Sequence, residues 1–97
     1  MHASIRRYIV SADNELEAIR HAKTGWLPIL ERIPGFVAYY FIDTGEGEML
    51  GVSIFKTPEG AAEANDLARD YVQNEMHGIL KRTMLLEGEV VAGKWAS

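Results

Sequence analysis

Hydrophobic and polar positions divide the chain into short blocks separated by breakers. Ser4 to Val10 (SIRRYIV) is rich in β-branched and aromatic residues and predicts a strand. Ser11 or Asp13 can cap a following helix, with Glu15 and Glu17 placed to favour its dipole. That helix is expected to reach about Arg32, because Pro34-Gly35 stops it. Pro28 lies inside it and removes a backbone donor, which predicts a kink or break near Thr24-Gly25. Phe36 to Asp43 and Met49 to Phe55 predict strands, joined by a glycine-rich turn at Thr44 to Gly47. Thr57-Pro58-Glu59 opens a second helix, with Thr as cap and Pro in the first turn. It is expected to run to about Met76 and loosen near Gly78, with a last strand somewhere within Leu85 to Lys94.

The order β-α-β-β-α-β predicts an α+β, ferredoxin-like domain over residues 1–97, an antiparallel sheet with both helices on one face. One sheet face packs on those helices. The other meets water in a monomer and should then be polar at alternate positions. The middle strands do not follow that rule. Phe36, Ala38, Tyr40 and Ile42 point one way, and Val37, Tyr39 and Phe41 the other. Leu50, Val52 and Ile54 share one face, and Met49, Gly51, Ser53 and Phe55 the opposite one. An apolar surface continuous across two strands marks an interface, and a second copy of the same sheet is the simplest cover. A homodimer through the sheet face is therefore expected.

Composition narrows the chemistry. Among 97 residues, 47% are hydrophobic and 25% charged, the balance of an ordinary globular chain. Ten Lys and Arg against 14 Asp and Glu give a formal charge of -4, which disfavours nucleic-acid or membrane partners. With no cysteine there is no disulfide, Cys-based zinc site or thiol nucleophile. No signal peptide or membrane span is visible, so the cytoplasm is the expected compartment. His2, His21 and His77 lack metal-ligand spacing, and no metal is expected. Arg6 and Arg7 project to opposite faces of the first strand and make no joint patch.

At 100° per residue, Leu16, Ile19, Trp26, Leu27, Leu30 and Ile33 form one stripe on the first helix, with Lys23 near its middle. Ala61, Ala64, Ala68, Tyr71, Val72 and Ile79 form the stripe on the second, with Glu75 near its middle and Asn65 at its edge. Lys23 and Glu75 interrupt apolar stripes, as polar residues lining a pocket would. The small residues Ala61, Ala62, Ala64 and Ala68, beside Trp26, Tyr39, Tyr40 and Tyr71, suit an aromatic-walled slot for a flat ligand.

The pattern Trp26-Leu27-Pro28, Pro34-Gly35-Phe36, Tyr39-Tyr40, Val52-Ser53-Ile54-Phe55 and Thr57-Pro58-Glu59-Gly60-Ala61 resembles the antibiotic biosynthesis monooxygenase-like group. The resemblance spans roughly Ser4 to Ala92 and implies a dimeric α/β barrel. It further implies either a cofactor-independent monooxygenase acting on polycyclic phenols or quinols, or a haem-degrading oxygenase. Members of the first kind use an Asn and a Trp one turn apart on the second helix. Asn65 matches the Asn, but Arg69 stands at the Trp position. Members of the second kind use a late His with a Trp about three turns earlier. His77 is suitably late, but Leu67 stands at the Trp position. The expectation is a small-molecule oxygenase with no cofactor, acting on a flat aromatic or quinone-like substrate. Asn65, Tyr71 and Glu75 are the candidate catalytic residues, and Lys23, Trp26, Tyr39, Tyr40, Ala68 and Arg69 the pocket. The alternative is a non-catalytic dimer of the same fold that binds or senses a small molecule.

Overall fold

The computed structural model describes residues 1–94. Strands β1 (His2–Val10), β2 (Phe36–Asp43), β3 (Glu48–Phe55) and β4 (Leu80–Glu89) pair in the order β2-β3-β1-β4, every pairing antiparallel. The first helix is built from α1 (Glu15–His21), a π-helical turn (Ala22–Trp26) and α2 (Leu27–Glu31). The second helix, α3 (Pro58–Glu75), is uninterrupted. This is the expected ferredoxin-like α+β order.

Local chemistry explains most boundaries. The Thr57 side chain accepts from the Gly60 backbone N–H at 3.2 Å and caps α3. The hairpin between β2 and β3 turns on Gly45 and Gly47, both at positive φ. The expected break near Thr24-Gly25 takes the form of the π turn, and Pro28 falls in the first turn of α2, where its missing N–H leaves no helical bond unmade. The last strand begins at Leu80, earlier than the expected window. Gly78, at φ 80, turns the chain directly after α3, so that buried Leu80 pairs with Val10. The following Lys81-Arg82-Thr83 hides the strand in sequence, because β4 is an edge with most side chains in water.

The π turn also resets the first helix's buried face. Ala18, Ala22, Trp26 and Leu30 are buried at four-residue steps, whereas Leu16, expected in the stripe, is 82% exposed. A regular helix drifts by about 40° per four-residue step, and a π turn spends the extra residue that offsets this. Under α3 the core gathers Trp26, Leu30, Ile33, Phe55, Ala61 and Ala64. Gly60 is buried where a Cβ would lie 2.9 Å from the Phe55 ring and 3.1 Å from the Pro34 carbonyl, so glycine sets how closely α3 approaches β3.

Alternation divides the sheet cleanly. Ser4, Arg6, Tyr8 and Val10 of β1 and Met49, Gly51, Ser53 and Phe55 of β3 face the helices and are buried. Leu50, Val52 and Ile54 lie on the outer face beside Ile42, Tyr40 and Ala38 of β2. Phe36 departs from its expected face. A bulge between Phe36 and Ala38 inserts Val37, so Phe36 pairs with Phe55 and packs edge-on against it on the helix side. The outer face carries a broad apolar surface that includes Ile9, Tyr40, Ile42, Met84 and Leu86, all exposed. Among the described residues no helix is long and apolar enough to cross a membrane.

Candidate functional site

Inward-facing residues of β1 meet the small side of α3 and leave space between them. A cavity of about 20 Å³, room for one water, is lined by Ala22, Trp26, Tyr39, Phe41, Gly51 and Met76 among others. Outward from it, a cleft of about 270 Å³ opens to solvent between α3 and β4, lined by Arg69, Gln73 and Arg82. Arg6, Tyr8, Ala68 and Val72 line both spaces and mark the throat where the two adjoin. Two local features create the room. Ala68 keeps α3 small over β1, and Gly51 lets the Tyr8 and Tyr39 rings lie across β3, each 3.7–3.8 Å from where a Cβ would stand.

Arg6 dominates the electrostatics. It is 2% exposed and makes no ion pair with any described residue. Its Nη2 donates to Asn65 Oδ1, which also accepts from Ser4 Oγ at 2.7 Å. Arg6 Nε and Asn65 Nδ2 are buried without partners. Burial pushes the Arg6 guanidinium down from its ordinary value, opposed by Tyr8 and Tyr39. Burial pushes the Tyr8 and Tyr39 phenols up, with Arg6 opposing. The raised phenols therefore stay neutral near neutral pH, and the guanidinium keeps its proton because arginine is too basic to lose it in a protein. The linings of cavity and cleft contain no carboxylate and no histidine.

The residues singled out from sequence are scattered by the structure. Trp26, Tyr39 and Ala68 line the cavity, and Arg69 lines the cleft mouth, where Asp66 and Asp70 lie 3.5 and 3.6 Å from its guanidinium. Asn65 is buried and bonded to Ser4 and Arg6, so its side chain orients the guanidinium. Tyr71 packs on Trp26 with ring centroids 5.7 Å apart, and its hydroxyl bonds His21 Nδ1 at 2.9 Å. Burial, then Glu75, pushes the Tyr71 phenol up.

Three placements are corrected. Lys23 is exposed, because the π turn rotates the buried face onto Ala22 and Trp26. Tyr40 is 46% exposed on the outer sheet face, one residue out of phase with Tyr39. Glu75 is exposed at the last residue of α3. Arg6, Tyr8 and Arg82 are the polar lining residues of most consequence among those that the sequence did not single out. The signal for the first was its phase with Tyr8 and Val10 on a strand whose even positions point inward.

The residues present do not fit a haem. His77, the ligand that the resemblance offers, is exposed beyond the end of α3 and lines neither the cavity nor the cleft, and no other histidine lines them.

No family model and no curated protein matches the sequence. Solved structures do match. A monooxygenase from the gene ActVA-Orf6 of Streptomyces coelicolor, in complex with nanaomycin D, superposes with a TM-score of 0.74 at 9% identity, covering 99% of this chain and 92% of that one. A candidate antibiotic biosynthesis monooxygenase from Nitrosomonas europaea gives a TM-score of 0.69 at 19% identity over 95% and 100% of the two chains. The fold is that of the antibiotic biosynthesis monooxygenase-like proteins. MhuD, as a point mutant with two manganese protoporphyrin IX bound per active site, shares the monooxygenase-like fold with a TM-score of 0.74 at 20% identity, over 99% and 100% of the chains. The chain spans 65% of MupZ from Pseudomonas fluorescens, with a TM-score of 0.73 at 12% identity over 89% of this chain. Identities this low carry the monooxygenase-like fold and leave the activity to be argued from the site.

Proposed function

We propose that the chain is a small-molecule oxygenase that takes a flat phenolic or quinone-like substrate into the cleft between α3, β1 and β4. The observation that supports this most is that cleft and cavity share Arg6, Tyr8, Ala68 and Val72 as lining, with Trp26, Tyr39 and Phe41 as aromatic walls of the inner space. A planar ring enters edge-first and stacks beside Tyr8, which lines the cleft, with its leading edge toward these walls. The inner cavity holds about one water, so the bulk of the ligand sits in the cleft and its leading edge displaces that water.

The chemistry belongs to substrate and oxygen. A phenol whose keto tautomer carries a ring CH2 can ionise and give electrons to O2 from that carbon. One oxygen atom forms the new C–O bond, the resulting hydroperoxide loses water, and CH2 plus O2 becomes C=O plus H2O with no further reductant. The protein orients the ring, excludes bulk water and stabilises the charge that moves from substrate to oxygen. Asn65 positions Arg6, and the His21–Tyr71 pair positions Trp26, each acting through another residue.

A homodimer through the outer sheet face completes this reading, since the exposed apolar side chains there need a cover that these residues do not supply. The test is oxygen uptake with a panel of quinols and ring-CH2 phenols, repeated with Ala68→Leu, which fills the throat. Uptake in the parent that falls at least tenfold in the variant supports the proposal. Ligand binding without uptake for any member points to the second reading, a non-catalytic binding or sensing dimer. That reading is favoured by Arg69, which stands where the resemblance implies a Trp.

A further inference from the structure

Arg6 is a full positive charge placed inside the protein beside a space that a ligand can reach. Its surroundings do not neutralise it. The partners it has are neutral, the amide Asn65 Oδ1 and the Tyr8 phenol, while its Nε–H is buried with no acceptor and no described carboxylate pairs with it. An arginine cannot shed its proton to escape this cost. Unpaired buried cations are rare for that reason, and ones bordering a cavity are explained by a partner that arrives from outside. Arg6 borders both the inner cavity and the outer cleft, and Arg82 adds a second guanidinium at the mouth. No group lining either space can take a proton from a ligand near neutral pH.

From this we infer that the ligand is an organic anion, a flat hydroxyquinone or acidic phenol already ionised at neutral pH, whose charged oxygen sits against the Arg6 guanidinium. The inference rests on the cleft reading above and names the substrate class of that site. Two consequences follow from the geometry. A planar anion suits the site, because Arg6 lines the cleft beside the Tyr8 ring, where a flat ligand can stack while its charged edge meets the guanidinium. Its charge belongs at the end that faces Arg6, and a second acidic group would meet Arg82 at the mouth, since Arg69 there is already engaged by Asp66 and Asp70.

The experiment compares 2-hydroxy-1,4-naphthoquinone, an acidic enol, with 2-methoxy-1,4-naphthoquinone, the same ring unable to ionise. Binding to the full chain is measured by titration calorimetry at neutral pH, with inorganic phosphate as a competing arm. The expected result is a hydroxy compound at least about tenfold tighter than its methyl ether, as a desolvated charge-assisted contact gives. Arg6→Met should abolish that preference, Arg6→Lys should retain part of it, and phosphate should compete poorly. Equal affinity for both quinones would overturn the anion while leaving the cleft reading intact. Binding of neither quinone would overturn the cleft reading and the inference with it. Phosphate competing as strongly as the hydroxyquinone would overturn the flat organic ligand in favour of a simple oxyanion. Circular dichroism checks each variant, and if Arg6→Met does not fold, the two quinones on the parent protein decide.

Discussion

Val52 lies at the middle of β3 on the outer sheet face, between Tyr40 of β2 and Ile5 of β1. Val52→Lys places an ammonium at the centre of the surface assigned to the dimer. In an isolated protomer the half-buried position lets the long side chain carry its charge to water, so folding stability should fall by less than about 1 kcal/mol. The dimer is affected far more. Ile9, Tyr40, Ile42, Met84 and Leu86 are each between 37% and 54% exposed. Completing their burial is worth roughly 0.8–1.5 kcal/mol apiece, or roughly 8–15 kcal/mol over the two protomers. Association itself costs about 4–15 kcal/mol, so the surplus is modest and intolerant of buried charge. Two-fold symmetry introduces the lysine twice, and each unpaired ammonium costs at least about 2 kcal/mol after relaxation. The dimer should weaken by about 4 kcal/mol or more, roughly a thousandfold in Kd. Sedimentation velocity over a dilution series reads that change, with circular dichroism confirming a folded variant. A parent chain that is monomeric at tens of micromolar, or a Val52→Lys dimer of unchanged Kd, would refute the reasoning.

Other substitutions probe the inner face. Gly51→Ala adds a methyl group at ordinary contact distance from Tyr8 and Tyr39, so thermal denaturation should show a gain of about 0.5 kcal/mol while quinone affinity falls as the cavity fills. Gly25→Ala places a Cβ onto the Tyr71 hydroxyl and 3.0 Å from Cζ, so it should cost about 1–3 kcal/mol in urea denaturation. Adding Tyr71→Phe should recover part of that loss, a coupling that a double-mutant cycle measures. Arg6→Met removes an unpaired buried charge and leaves Asn65 Oδ1 bonded to Ser4 at 2.7 Å, so the melting temperature should rise by about 4 °C or more even as anion binding is lost.

The first three strands and the sheet's two apolar faces were legible because alternation reports burial directly, whereas the start of β4 was not. Phe36 escaped alternation through a bulge, which shifts phase without leaving a mark in composition. The first helix was legible in extent and in the position of its break, but not in which side it buries. Pro28 and Gly25 announce irregularity, yet the resulting turn is π-helical, and that choice moves Ala22 inward and Lys23 outward. The α3 stripe read correctly through Ala61, Ala64 and Ala68, since that helix is regular to Glu75. The site was less legible. A charged residue on a strand reads as solvent-facing, and Arg6 is distinguishable from Arg7 only once the inward phase of β1 is known. Arg82 was hidden further by the late placement of β4. Polar interruptions of apolar stripes, the signal that pointed to Lys23 and Glu75, marked helix irregularity and a helix end.

The central claim is that a ligand enters the throat at Arg6 and meets an unpartnered N–H there. Proton–nitrogen NMR of the isotope-labelled chain, titrated with 2-hydroxy-1,4-naphthoquinone, tests it most directly. The Arg6 Nε–Hε resonance should shift together with the amides of Tyr8, Ala68 and Val72, while those of Tyr40 and Ile54 on the outer face stay in place. Shifts confined to the outer face, or an Arg6 Nε–Hε signal unmoved at saturating ligand, would contradict it.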